Sequence, residues 1–82
     1  MKVTKFNQQL WGIRTFNEVG YDKESNLFSV FFLDGSEMQF SNVEELVVFE
    51  FIITLEKEDF LKKVFLPYYP YIHKTKKLSE LS

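Results

Sequence analysis

Leu27-Phe28-Ser29-Val30-Phe31-Phe32-Leu33, followed by Asp34-Gly35, is the stretch that decides the fold. Seven residues rich in aromatic and branched side chains favour a strand. Asp-Gly after such a run is the strongest short-range hairpin signal, because both residues tolerate the positive φ of a type I′ turn. Glu37-Met38-Gln39-Phe40 then reads as the antiparallel return strand. Under period-two alternation Phe28, Val30 and Phe32 share one face, and Leu27, Phe31 and Leu33 share the other with Ser29. Both faces are apolar, whereas a sheet covered on one side alternates apolar with polar. Full burial of one such side chain is worth roughly 1.5–3 kcal/mol, so the second face needs a cover. Leu27, Phe31 and Leu33 are therefore the candidate protein interface. Three covers are open: the N-terminal arm, a second copy of the chain in a homodimer, or a foreign protein partner.

Upstream, Trp11 to Phe16 and then Val19 read as a further strand, with Trp11 and Ile13 on one face, and Gly20 to Asn26 as a polar turn. Met1 to Gln9 is a short strand or a loosely held arm. Downstream, Ser41 and Asn42 with Glu44 or Glu45 three residues on form a capping box, which opens a helix running to about Leu55. Val48, Ile52 and Leu55 stack along it, while Glu44, Glu45, Glu50 and Glu56 line a wetter flank. Glu56 to Asp59 is a break, and Asp59 caps a short second helix that Pro67 ends. Two prolines in four residues make Pro67-Tyr68-Tyr69-Pro70-Tyr71-Ile72 an extended or turn-like segment. The fold class is α+β: a small antiparallel sheet, built from an N-terminal strand plus the central β-hairpin, packed by one main helix, then a short helix and an extended Tyr/Pro segment. Residues 1–73 form a single domain and residues 74–82 a basic polar tail.

Eighty-two residues make one core, and 45 % hydrophobic residues with ten Phe supply it. The absence of Cys removes disulfides, thiolate nucleophiles and the common zinc and iron–sulfur ligand sets. A cytoplasmic setting fits that composition, and the longest apolar stretch, around Leu46 to Leu55, is too short to span a bilayer. Residues 1–66 hold seven Lys/Arg against eleven Asp/Glu, and residues 67–82 hold three Lys against one Glu. An acidic body disfavours general phosphate binding.

From Ile13 to Tyr71 the order of landmarks resembles the KTSC domain, a short module named after the C-terminal extension of some lysyl-tRNA synthetases and found also as a free-standing bacterial or phage protein. The carriers are Gly20-Tyr21-Asp22, the alternating Phe28, Val30 and Phe32 leading to Gly35, the returning Met38 and Phe40, Val43 before the helix, and Tyr69. The family's central Tyr-x-Tyr falls on Met38-Gln39-Phe40, which keeps the bulk and drops both hydroxyls. The resemblance implies a compact hairpin-and-helix arrangement and a suggested RNA-binding role.

Catalysis needs tunable groups, and the chain offers one His and no Cys. His73 reads as an ordinary surface side chain, and Glu56, Glu58 and Asp59 as a solvated helix end rather than a calcium site. No catalytic residue, metal site or cofactor is expected. A small, acidic, cysteine-free chain without chemistry suits a non-enzymatic interaction module, including a phage or mobile-element inhibitor of a host factor. The alternative is single-stranded nucleic acid held by Tyr68, Tyr69 and Tyr71 with Lys74, Lys76 and Lys77, rings stacking on bases beside cations that meet phosphates.

Overall fold

The computed structural model describes residues 2–74. Its strands are β1 (Lys2–Lys5), β2 (Phe16–Asp22), β3 (Leu27–Phe32), β4 (Glu37–Phe40) and β5 (Tyr71–Lys74). They form one antiparallel sheet in chain order, β1-β2-β3-β4-β5. A short helix, α1 (Gln8–Trp11), joins β1 to β2. Between β4 and β5 lie α2 (Glu45–Ile53) and a second helical run, made of α3 (Lys57–Phe60), a π-helical turn (Leu61–Phe65) and α4 (Leu66–Tyr68). This is the α+β fold the sequence implies.

The helices pack on one face of the sheet through a cluster of phenylalanines. Phe28 from β3 stacks on Phe65 with ring centres 4.9 Å apart and meets Phe51 of α2 edge-on at 5.3 Å. Phe40 from β4 closes on Phe65 at 5.2 Å. All four rings are buried, with Phe16, Val19, Val30 and Val43 around them. Offset and edge-to-face pairs of this kind add to area burial, which suits a domain with little core to spare.

Several local expectations give way to turn chemistry. Trp11 is not in a strand: the Asn7 side chain accepts the Leu10 N–H at 3.0 Å and starts α1, and Gly12, at φ 66°, stops it. The strand begins at Phe16 and absorbs Gly20 to Asp22, which read locally as turn. The N-terminal arm covers neither face of the hairpin; it pairs with β2 as an edge strand, Val3 opposite Gly20. The hairpin loop is not type I′, since among the described residues only Asn26 and Asn42 are non-glycines at positive φ. Instead Gly35, at φ 93°, donates to the Phe32 carbonyl at 3.1 Å, Phe32 donates to Ser36 at 2.9 Å, and Asp34 accepts the Ser36 N–H. That is a three-residue loop with a glycine at its left-handed position.

The capping box does not form either. Asn42 turns the chain at φ 62°, the cap position falls on Glu44 without a side-chain bond, and α2 begins at Glu45. The second helical run starts at Lys57 rather than after Asp59, and it passes through Pro67 to Tyr68. The π-helical turn just before Pro67, where Leu66 donates to the Leu61 carbonyl, gives the proline ring room that a regular turn denies it.

Candidate functional site

Strand register places two sets of side chains on opposite faces. Tyr21, Phe28, Phe40 and Tyr71 occupy one row of the helix-covered face. On the opposite, outer face the central row runs Val3, Gly20, Ser29, Gln39, Ile72 across all five strands. The next row runs Lys5, Glu18, Phe31, Glu37, Lys74, and Leu27 lies opposite Asp22. No described helix lies on this face. Val3 is 51 % and Ile72 60 % exposed at its two edges, and Leu27 and Phe31 are half-buried at its centre. Ser29 is fully buried beneath them, and its hydroxyl has no hydrogen-bond partner.

The proposed interface trio is thus divided. Leu27 and Phe31 share the outer face, whereas half-exposed Leu33 sits past the strand end. There it borders a cleft of about 620 Å³ with Phe32, Met38, Leu61 and Leu66. The tyrosine–lysine group is divided too. Tyr69 packs on Phe65 at 5.5 Å at the edge of the core, Tyr71 lies on the helix-covered face 5.5 Å from Phe40 but is 47 % exposed, and Tyr68 is exposed at the helix end. Lys74 projects from the outer face, and Lys76 and Lys77 lie outside the described residues. His73 is exposed, its ring edge-on to Phe32.

The stretch Glu56-Lys57-Glu58-Asp59, which reads as a solvated break, is a clasp. Lys57 is buried; its ammonium donates to the carbonyls of Phe51 (3.0 Å), Ile52 and Thr54 (2.9 Å), tying off the C-terminal end of α2. It also lies 4.0 Å from the Trp11 ring centre and 4.9 Å from that of Phe6. Burial holds the Lys57 pKa below its ordinary value. Glu58 accepts the N–H groups of Arg14 and Thr15 and the Thr15 hydroxyl on a single oxygen at 2.7–3.1 Å. Burial pushes this carboxyl up, but the three hydrogen bonds and the nearby Lys62 charge outweigh it, and its pKa is lowered. Asp59 pairs with Lys63 at 3.2 Å. Among the described residues no three His, Cys, Asp or Glu side chains come together to hold a metal.

Several of the residues on which the sequence resemblance rests meet in space. Tyr21 Oη donates to the Val43 carbonyl at 2.7 Å, and Val43 N–H donates to Asn26 at 2.9 Å, locking β2 to the entry of α2. Met38 and Phe40 both face inward, Met38 onto the cleft and Phe40 into the core. These features define a small α+β domain in which a sheet is backed by two helical segments. The KTSC domain model matches residues 14–69, more than half of the chain, and the protein belongs to the KTSC family. No curated protein matches it. Among the described residues no helix is long and apolar enough to cross a membrane.

Proposed function

We propose that this KTSC domain is a non-catalytic protein-interaction module that buries the outer face of its sheet against another protein surface, in the first instance a second copy of the chain. The observation that carries the reading is the apolar set Val3, Leu27, Phe31 and Ile72 on the outer face. Among the described residues helices pack on one side of the sheet, and the other side presents Val3, Leu27, Phe31 and Ile72 between the polar Ser29 and Gln39 and the charged Lys5, Glu18, Glu37 and Lys74. Division of the tyrosines from Lys74, on a chain whose body is acidic, weighs against the nucleic-acid alternative.

Light scattering on the purified chain, on Phe31→Glu and on Ile72→Glu tests this. A wild-type dimer that both variants convert to folded monomers is the expected result. A wild-type monomer, or a dimer that persists in folded Ile72→Glu, overturns self-association through the sheet. Ile72 is exposed at an edge, so its substitution keeps the test meaningful even where Phe31→Glu disturbs folding.

A further inference from the structure

Helix α2 reads Glu-Leu-Val-Val-Phe-Glu-Phe-Ile-Ile and is apolar on more than its buried side. Val48 and Phe51 enter the core, but Leu46, Phe49 and Ile53 are 68 %, 55 % and 73 % exposed. Their spacing of three and four residues places them in one stripe on the solvent side. A helix facing water on that side should be polar there, and exposed apolar stripes with polar rims mark interaction sites. Phe49 also forms one lip of a groove of about 250 Å³ between α2 and the β1–β2 edge, with Val19, Tyr21 and Ile52 among its walls.

The rim of the stripe selects its occupant. Glu50 is exposed and lies one helical turn from both Leu46 and Ile53; exposed Glu44 and Glu56 stand just before and just after the helix, and Glu45 is already paired with Lys23 at 3.5 Å. Among the described residues Lys2 lines the groove on its β1 side, while the unpaired charges on and beside α2 itself, Glu44, Glu50 and Glu56, are all negative. Two copies of α2 set against each other would bring carboxylates against carboxylates at both ends and in the middle, and an anionic membrane surface would meet the same repulsion. We propose that the α2 stripe docks a basic amphipathic helix of a partner protein, whose apolar side chains cover Leu46, Phe49 and Ile53 and whose Lys or Arg residues meet Glu50, Glu44 and Glu56. This surface is separate from the outer face of the sheet, and its test is independent of that reading.

The probes are two synthetic amphipathic helices with the same leucine pattern, one with lysine and one with glutamate at the polar positions, titrated into isotope-labelled protein by NMR and calorimetry. The expected result is binding of the Leu/Lys peptide with shifts centred on Leu46, Phe49 and Ile53. Affinity should fall about tenfold in Phe49→Ser, and about threefold in Glu50→Gln, the worth of one exposed ion pair. Ile53→Ser, more exposed still, serves as a second reporter of the stripe. Equal affinity for the two peptides, shifts centred elsewhere, or unchanged affinity in both folded Phe49→Ser and Ile53→Ser overturns the proposal. So does a wild-type dimer that Phe49→Ser dissociates, which would assign the stripe to a second copy.

Discussion

The ammonium of Lys57 stands 4.0 Å from the centre of the Trp11 ring while it holds the last carbonyls of α2. One buried cation therefore joins the N-terminal segment, the end of α2 and the start of α3. Methionine at position 57 retains the apolar stem but leaves the carbonyls without their donor. Lys57→Met should lose about 2–3 kcal/mol, through unsatisfied acceptors and the lost ring contact. For a domain of this size that is a fall of about 10–20 °C in Tm. Urea denaturation followed by the fluorescence of Trp11, the single tryptophan, measures it. A loss below about 0.5 kcal/mol would mean that water replaces the ammonium, and the clasp would carry no weight.

Glu58 gives the fold an acid-sensitive seam. Its folded pKa is lowered from 4.5, so the folded state binds fewer protons than the unfolded chain across that interval. The stability it contributes is present above pH 4.5 and is lost as pH falls through the folded value. Glu58→Gln keeps the shape and removes the charge, and should cost about 1–2 kcal/mol at pH 7. It should also flatten the decline of the wild type below pH 4.5. Parallel declines in the two proteins, read from urea midpoints between pH 3 and 7, would assign the acid sensitivity to other carboxylates.

Gly35→Ala tests the hairpin loop. At φ 93° a side chain is strained, and the residue closes a loop held by the Phe32–Ser36 pair. The substitution should destabilise by about 1–2 kcal/mol in thermal melts monitored by circular dichroism, without altering the sheet. A type I′ loop would put Asp34 at positive φ as well, so a stabilising Asp34→Gly would contradict the three-residue loop, in which Asp34 accepts the Ser36 N–H and its replacement should destabilise.

The hairpin, its inward row of Phe28, Val30 and Phe32, the α2 helix and the α+β class were readable from alternation and apolar content. What escaped were features set by a single side chain reaching across the fold. Glu58 bonds residues 43 and 44 positions away, and Lys57 is sheltered by Phe6 and Trp11; in sequence each looks like any charge in an acidic run. Trp11 read as strand because its aromatic bulk outweighed the Asn7 and Gly12 signals that bracket one helical turn. The stripe of Leu46, Phe49 and Ile53 did leave a trace, since a helix apolar on all sides predicts more burial than one small sheet can provide. Which of its sides faces the sheet depends on the register of Phe51 against Phe28, a tertiary matter.

Ser29 connects the fold to the proposed sheet interface. Its hydroxyl is fully buried in the middle of the outer face, between Gly20 and Gln39, with no partner. A buried hydroxyl without a hydrogen bond costs about 1–3 kcal/mol, a penalty that alanine removes. In the isolated chain Ser29→Ala should therefore raise stability by about 1 kcal/mol, because removing the oxygen breaks no bond. A surface that docks on this face and parts Leu27 from Phe31 would give the hydroxyl its partner, so the same substitution should weaken association while it strengthens the monomer. Urea denaturation at low protein concentration reads the first effect and sedimentation equilibrium the second. A variant both more stable and equally associated would place the contact away from Ser29, and one less stable would show that the hydroxyl is already hydrogen-bonded within the chain.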